Sequence, residues 1–336
     1  MANRILCPVC CSEPSKKDVF GCSTCGFSMA FAAHFAGRES YNAWVKLIDS
    51  EKTVRLRELQ FKFRSGVRFA ISGDRAAYIT ESGKAIVVGP KIELVHKEPI
   101  RQISASENHI VFLYKNGSVK AIGNDNYGEC NVGDLRDISF VLADSQSTYA
   151  IQSGRVYVRG MNTFEKDVSS WAGIISLASG AHHILGLRGD GTVLYAAERL
   201  GRSLFTEIQA WRSIVAIAAA GDRSLGLKSD GAVLYAGSKN DLWESTGKWK
   251  NVVAISADYK YAVGLTDEGN ILLCGSVNPA VDMGRSGAVH WKNVVAIACS
   301  RSAIGALHAD GTISLAGNIA DSARLCEQWI PVNLYT

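Results

Sequence analysis

Ile214-Val-Ala-Ile-Ala-Ala-Ala-Gly-Asp-Arg-Ser-Leu-Gly-Leu-Lys-Ser-Asp-Gly231 decides the reading of this chain. A small-residue apolar strand opens it, a second short strand follows at Ser224–Leu227, and Asp230-Gly231 supplies the positive φ of a tight hairpin. A third strand, Ala232–Ala236, comes next, and a variable polar segment then leads to Trp249. The same order recurs along the chain. Turn signals fall at Ser82-Gly83, Asn116-Gly117, Ser153-Gly154, Asp190-Gly191, Asp230-Gly231, Glu268-Gly269 and Asp310-Gly311, separated by 34, 37, 37, 40, 38 and 42 residues. Six residues after each turn glycine stands Gly89, Gly123, Gly160, Ala197, Gly237, Gly275 or Gly317. Trp171, Trp211, Trp249, Trp291 and Trp329 open successive units. Repeats of about 40 residues with several short strands are propeller blades. The Ala/Ser-rich first strand suits an inner position, where strands converge on an axis. Seven blades close a ring, whereas an open stack leaves two exposed edges.

The 214–231 stretch resembles the regulator-of-chromosome-condensation repeat, particularly its prokaryotic form. Gly123-Asn-Asp-Asn-Tyr-Gly-Glu-Cys-Asn-Val132 matches that repeat's second signature, Gly-x-Asn-x-x-Gly-Gln-x, with Glu129 in the Gln place. The resemblance covers roughly residues 66–336 and implies a seven-bladed propeller. The usual repeat carries His before its second strand. Only His109 and His183 keep it, and Arg75, Ser147, Arg223, Tyr261 and Ala303 occupy the place elsewhere. Blade 3 is one residue short in its turn, and blade 1 diverges most. Proteins with this repeat include exchange factors for a small GTPase, ubiquitin-ligase subunits and a secreted inhibitor of beta-lactamase. All act on other proteins through propeller surfaces, so the resemblance implies the same for this chain.

Five of nine cysteines lie in the first 25 residues. Cys7-Pro-Val-Cys10 and Cys22-Ser-Thr-Cys25 form two C-x-x-C knuckles, which together predict one zinc ion in a closed, structural shell of four thiolates. Metal binding then supplies the folding energy that so short a segment lacks. The segment resembles the zinc ribbons at the N-termini of many prokaryotic multidomain proteins. Those usually have Gly after the first knuckle; here Cys11 sits there and competes with Cys10 as a ligand.

The 336-residue chain carries 36 Lys+Arg and 32 Asp+Glu. Residues 1–65 hold 10 basic and 6 acidic side chains, which leaves residues 66–336 neutral. Four thiolates around Zn²⁺ cut the N-terminal excess to roughly +2, a weak footprint for nucleic acid. No stretch approaches the ~20 apolar residues of a membrane helix, and the start shows no signal-peptide pattern. A soluble cytoplasmic protein is expected. The all-β reading divides the chain into a zinc ribbon (1–30), a linker (31–65) and a seven-bladed repeat propeller (66–336). Within the linker, Ser40 caps a short helix with Trp44, Leu47 and Ile48 on one face. Over residues 54–64, Val54, Leu56, Leu59, Phe61 and Phe63 mostly alternate with polar side chains, which reads as a strand. Either that strand or Trp329–Leu334 is available to clasp the ring.

Catalytic signatures are absent from the sequence: no phosphate loop before a helix, no Gly-x-Ser-x-Gly elbow, no His-Glu-x-x-His pair. His182 and His183 are adjacent on a strand and face opposite ways, so they do not chelate one ion. Asp190, Asp230 and Asp310 are turn residues with local backbone roles. Cys130 with a nearby His as a nucleophilic pair has only composition behind it. An enzyme is not expected. The variable segments carry apolar groups amid turn residues, and Tyr127, Phe164, Phe205, Trp243 and Met283 are the candidate partner-binding residues. The expected function is a protein-binding adaptor or scaffold. Competing readings are nucleic-acid binding through the ribbon and Arg55–Arg68, an exchange factor for a small GTPase, and a proteinaceous enzyme inhibitor.

Overall fold

A computed structural model describes residues 54, 56–60, 68–71, 76–80, 83–88, 98–161, 164–198, 202–238, 242–275, 282, 284–300 and 303–317. The proposed ribbon with Cys7, Cys10, Cys22 and Cys25, the short helix capped by Ser40, Met283 and Trp329–Leu334 lie outside these residues.

Seven three-stranded antiparallel sheets follow one another, each with its strands in chain order. They span residues 69–88, 100–123, 138–160, 174–197, 214–236, 252–275 and 294–317, and are numbered here as blades 1 to 7. The first strand of each blade lies beside the first strands of its neighbours, and that of blade 1 meets that of blade 7, so the ring is closed. The inner strands enclose a central channel of about 1350 Å³. The end where inner strands begin is called the lower mouth below, and the end where they finish the upper rim.

Each blade buries apolar residues on both faces, and the result is seven separate cores, one per junction between neighbours. A second device repeats at six junctions: the first N–H of each inner strand donates to the carbonyl of the preceding blade's turn glycine. Examples are Ile100 N to Gly83 O at 2.7 Å and Ile214 N to Gly191 O at 3.0 Å. All seven turn glycines have positive φ, between 77° and 86°. In the Asp-Gly turns only the glycine does. The aspartate instead binds the chain two residues on, as Asp190 Oδ1 accepts from Thr192 N (2.9 Å) and Oγ1 (2.6 Å). Blade 3 is one residue short because Ser153 (φ 50°) and Gly154 (φ 77°) form a two-residue hairpin loop with both φ positive.

The expected strand at 54–64 is overturned where it is described: residues 56–60 are α-helical, and residues 61–64 lie outside the described residues. Leu56, Leu59 and Gln60 are buried together, while Arg57 faces solvent. Two polar residues separate the leucines, which places both on one helical face, whereas alternation would put them on opposite sides of a strand. This helix closes the seam. Leu56 and Leu59 join the core shared by blades 1 and 7. Gln60 Nε2 donates to Thr266 O (3.0 Å) in blade 6 and Val294 O (3.2 Å) in blade 7. Arg57 pairs with Asp267 at 2.5 Å but is largely solvated and adds little. Gln60→Ala should therefore cost about 2 kcal/mol, roughly 1 per buried hydrogen bond, read as a lower urea midpoint at unchanged slope. An unchanged midpoint would show that the helix does not hold the seam.

Candidate partner-binding faces

The upper rim is built from the hairpins joining inner to middle strands and from the variable segments that leave the outer strands. Side chains stitch neighbouring blades together beneath it. His109 of blade 2 hydrogen-bonds Thr148 of blade 3 (Nε2 to Oγ1, 2.8 Å), and His183 of blade 4 does the same with Ser224 of blade 5 (2.7 Å). Where the repeat has lost its His, other chemistry takes the place. Arg223 lies 5.2 Å over the Trp243 ring, and the Tyr261 hydroxyl donates to Asp282 Oδ1 at 2.7 Å. Beside Tyr261, Asp258 and Arg285 form a fully buried ion pair at 2.7 Å. Burial pushes the Asp258 carboxyl above its usual range even with this partner beside it.

The five expected partner residues fare differently. Tyr127 is exposed, at 49%. Phe164, Phe205 and Trp243 are buried, which corrects their assignment to an exposed surface. Phe164 and Phe205 join the cores between blades 3 and 4 and blades 4 and 5, and Trp243 that between blades 5 and 6. Phe205 stacks on His183 with centroids 4.1 Å apart, and Trp243 Nε1 donates to Lys260 O at 3.3 Å. The segments around them coil into short helices, including the 3-10 helices Arg202–Ala210 and Leu242–Lys248, that press these rings inward as plugs.

Tyr127 stands on a loop fixed by its own polar groups. Asn124 Oδ1 accepts from Asn126 N (2.9 Å), Asp125 Oδ1 from Cys130 N (2.7 Å) and Glu129 Oε2 from Tyr127 N (2.8 Å). Glu129 O in turn accepts from Thr148 Oγ1 of blade 3 at 2.8 Å. Glu129 is fully buried, and its Oε1 has no hydrogen-bond partner among the described residues. Next to this loop the chain leaves blade 3 at Met161, which is 60% exposed and whose carbonyl accepts from Ser147 Oγ. Tyr157 and Tyr259 are further exposed aromatics that the sequence reading passed over.

Features considered for chemistry have local explanations. His182 is exposed and pairs with Glu198 at 3.2 Å, while His183 is buried in the blade. Burial, then the nearby Asp125 and Glu129, pushes the Cys130 thiol up to about 11, so it is protonated at neutral pH. Among the described residues no three metal-ligating side chains gather at one point.

The lower mouth holds a feature with no obvious sequence signal. In blades 2 to 7 the pairing of inner and middle strands shifts register across the second residue of the inner strand. These bulged residues are Arg101, Ser139, Ile175, Val215, Val253 and Val295. The residue two positions earlier takes a left-handed conformation in five blades: Asp137, Gly173, Ser213, Asn251 and Asn293.

The repeated architecture defines a seven-bladed β-propeller. In sequence, the family profile described as the regulator of chromosome condensation (RCC1) repeat matches residues 100–129, which are blade 2 and the Tyr127 loop. No curated protein matches the chain in sequence. In fold it is similar to the CRINKLY WD40 ectodomain of the Arabidopsis thaliana receptor kinase ACR4, with TM-score 0.59 and 14% identity over 77% of this chain and 96% of that one. It is also similar to yeast RCC1 (Prp20) in its structure bound to Kap60, with TM-score 0.53 and 15% identity over 78% and 81% of the two chains. Prp20p from Saccharomyces cerevisiae, described with its binding properties to Gsp1p and histones, gives 0.52 and 14% over 78% and 84%. The chain is thus similar in fold to RCC1-type propellers, and in sequence one of its blades matches the RCC1 repeat.

Proposed function

We propose that this chain is a non-enzymatic protein-binding scaffold, with its partner surface on the upper rim around Tyr127 and Met161. The observation that carries the reading is the Tyr127 loop. It holds an exposed aromatic on a hydrogen-bonded frame, next to an exposed methionine, on a ring that spends little entropy on docking. The likeness to yeast RCC1, solved with Kap60 bound, supports use of this fold as a protein-docking platform. Residues 1–30 add a structural module: the donor set of Cys7, Cys10, Cys22 and Cys25 is four thiolates, which suits one zinc ion.

The test is capture from nuclease-treated native lysate with the tagged full chain and with a Tyr127→Ala/Met161→Ala variant. A stoichiometric protein should be recovered by the native chain, and its affinity should fall about tenfold or more in the variant, as for a hot-spot residue. Equal recovery by the two would remove the partner surface from this loop. Nucleic acid alone, recovered only without nuclease, would move the function to the N-terminal module. Metal analysis of the same preparation should find about one zinc per chain, lost in Cys22→Ser.

A further inference from the structure

The ring of bulged residues at the lower mouth is chemically divided. Arg101 donates to Ser139 O, and Ser139 Oγ donates to Ile151 O at 3.1 Å, so the polar members engage their own neighbours. The other four are aliphatic. Ile175, Val215 and Val253, on consecutive blades, are 54%, 55% and 42% exposed, whereas Val295 is 1% exposed. Val295 differs because Leu56 and Leu59 of the seam helix pack in its core cluster. A bulge re-aims one side chain without changing its neighbours, and three successive bulges here aim β-branched hydrocarbon at water. The fourth shows how such a residue is covered: by leucines spaced along one helical face.

The chain's own course supplies a covering segment. Leu56 lies against the turn at Gly269 of blade 6, and Arg57 pairs with Asp267 of the same blade. The 53 residues that precede Val54 therefore reach the propeller at blade 6, the blade of Val253. Residues 40–53 lie outside the described residues, and their sequence places Trp44, Leu47 and Ile48 on one helical face. Lys46 and Lys52 balance Asp49 and Glu51, so no net charge opposes seating on a neutral apolar surface. Ile48 is eight positions before Leu56, a span of up to about 27 Å of extended chain, enough to carry the apolar face from blade 6 along the crescent.

We propose that the crescent Ile175–Val215–Val253 is the docking seat of residues 40–53 of the same chain, with Trp44, Leu47 and Ile48 covering it as Leu56 and Leu59 cover Val295. The N-terminal module is thereby held at the lower mouth, on the opposite end of the ring from the Tyr127 loop. This seat does not depend on the partner surface proposed above.

The test places a photoreactive benzoylphenylalanine at Val215 in the full chain. Position 215 is solvent-facing, so the ring tolerates the change. Irradiation of a dilute sample should give a cross-link within one chain, mapped by peptide mass spectrometry to residues 40–53. A Leu47→Asp/Ile48→Asp variant should lower its yield about fivefold or more, since the hydrophobic contribution of two side chains is lost. The proposal is overturned by a cross-link to a second copy of the chain, by a cross-link mapping elsewhere, by none at all, or by a yield that the double variant leaves unchanged.

Discussion

Gly123→Val should destabilise the protein by more than about 3 kcal/mol, enough to depopulate a marginal fold. Gly123 ends the outer strand of blade 2 with φ +145°, a region that side-chain-bearing residues avoid. A Cβ there would lie 2.3 Å from Asn108 O and 2.5 Å from His109 Cα. Neither neighbour can retreat. Asn108 O accepts from Asn124 N at 2.9 Å, and His109 is held by Thr148 and by Ser106 Oγ at 3.1 Å. Backbone strain of about 1–3 kcal/mol and overpacking of about 1–3 kcal/mol act together. Gly133→Ala is the control: a Cβ there meets nothing within 4 Å, and the change should stay within about 0.5 kcal/mol. Urea unfolding of the two variants gives the comparison, and a neutral result at Gly123 would remove the steric role of the fixed-offset glycines. Blade 4 carries Ala197 at this position and avoids the problem in its backbone, since Ala197 is not among the residues with positive φ.

The repeat was legible because its decisive positions are backbone requirements. A hairpin that needs positive φ selects glycine, and so Gly83, Gly117, Gly154, Gly191, Gly231, Gly269 and Gly311 mark the blades in the sequence as they do in space. The two retained histidines were legible for a similar reason, as each fills a fixed inter-blade position. The plugs were not. An aromatic among turn residues has the same local sequence whether it folds inward or faces out, and Phe205 and Trp243 are buried only because the next blade offers a slot between sheets. The run at 54–60 failed differently: Val54 and Leu56 fit a period of 2 while Leu56 and Leu59 fit one of 3.6, and the seam between blades 1 and 7 decides between them. The bulges at Ile175, Val215 and Val253 carry no residue signature of their own. Their one available mark was two positions upstream, where Asp137, Gly173, Ser213, Asn251 and Asn293 are all types that tolerate or favour left-handed and turn backbone.

Acid should weaken the protein through a window that His183 sets. Its ring is fully buried, stacked on Phe205, with Nε2 bonded to Ser224 and Nδ1 without a hydrogen-bond partner among the described residues. Burial, and secondarily the charge of neighbouring His182, holds its pKa at about 3 against 6.5 for an ordinary histidine. Below 6.5 the unfolded chain binds a proton at this residue that the folded chain refuses, so stability is constant above that pH and falls as pH drops. The loss is about 1.4 kcal/mol per pH unit until the folded ring titrates near 3, which gives roughly 2 kcal/mol at pH 5. His109, lowered chiefly by burial, acts in the same direction. Asp144 and Asp258, which burial pushes up, act oppositely, because protonation relieves a buried charge. The measurement is therefore a difference: urea midpoints of the native chain and of His183→Gln from pH 7.5 to 4.5. Glutamine keeps a donor in reach of Ser224 and cannot take up the proton. The variant should be less stable at pH 7.5, and the gap should narrow steadily below pH 6.5. Parallel curves across the whole range would mean that His183 is protonated in the folded blade, against its burial between Phe205 and Ser224.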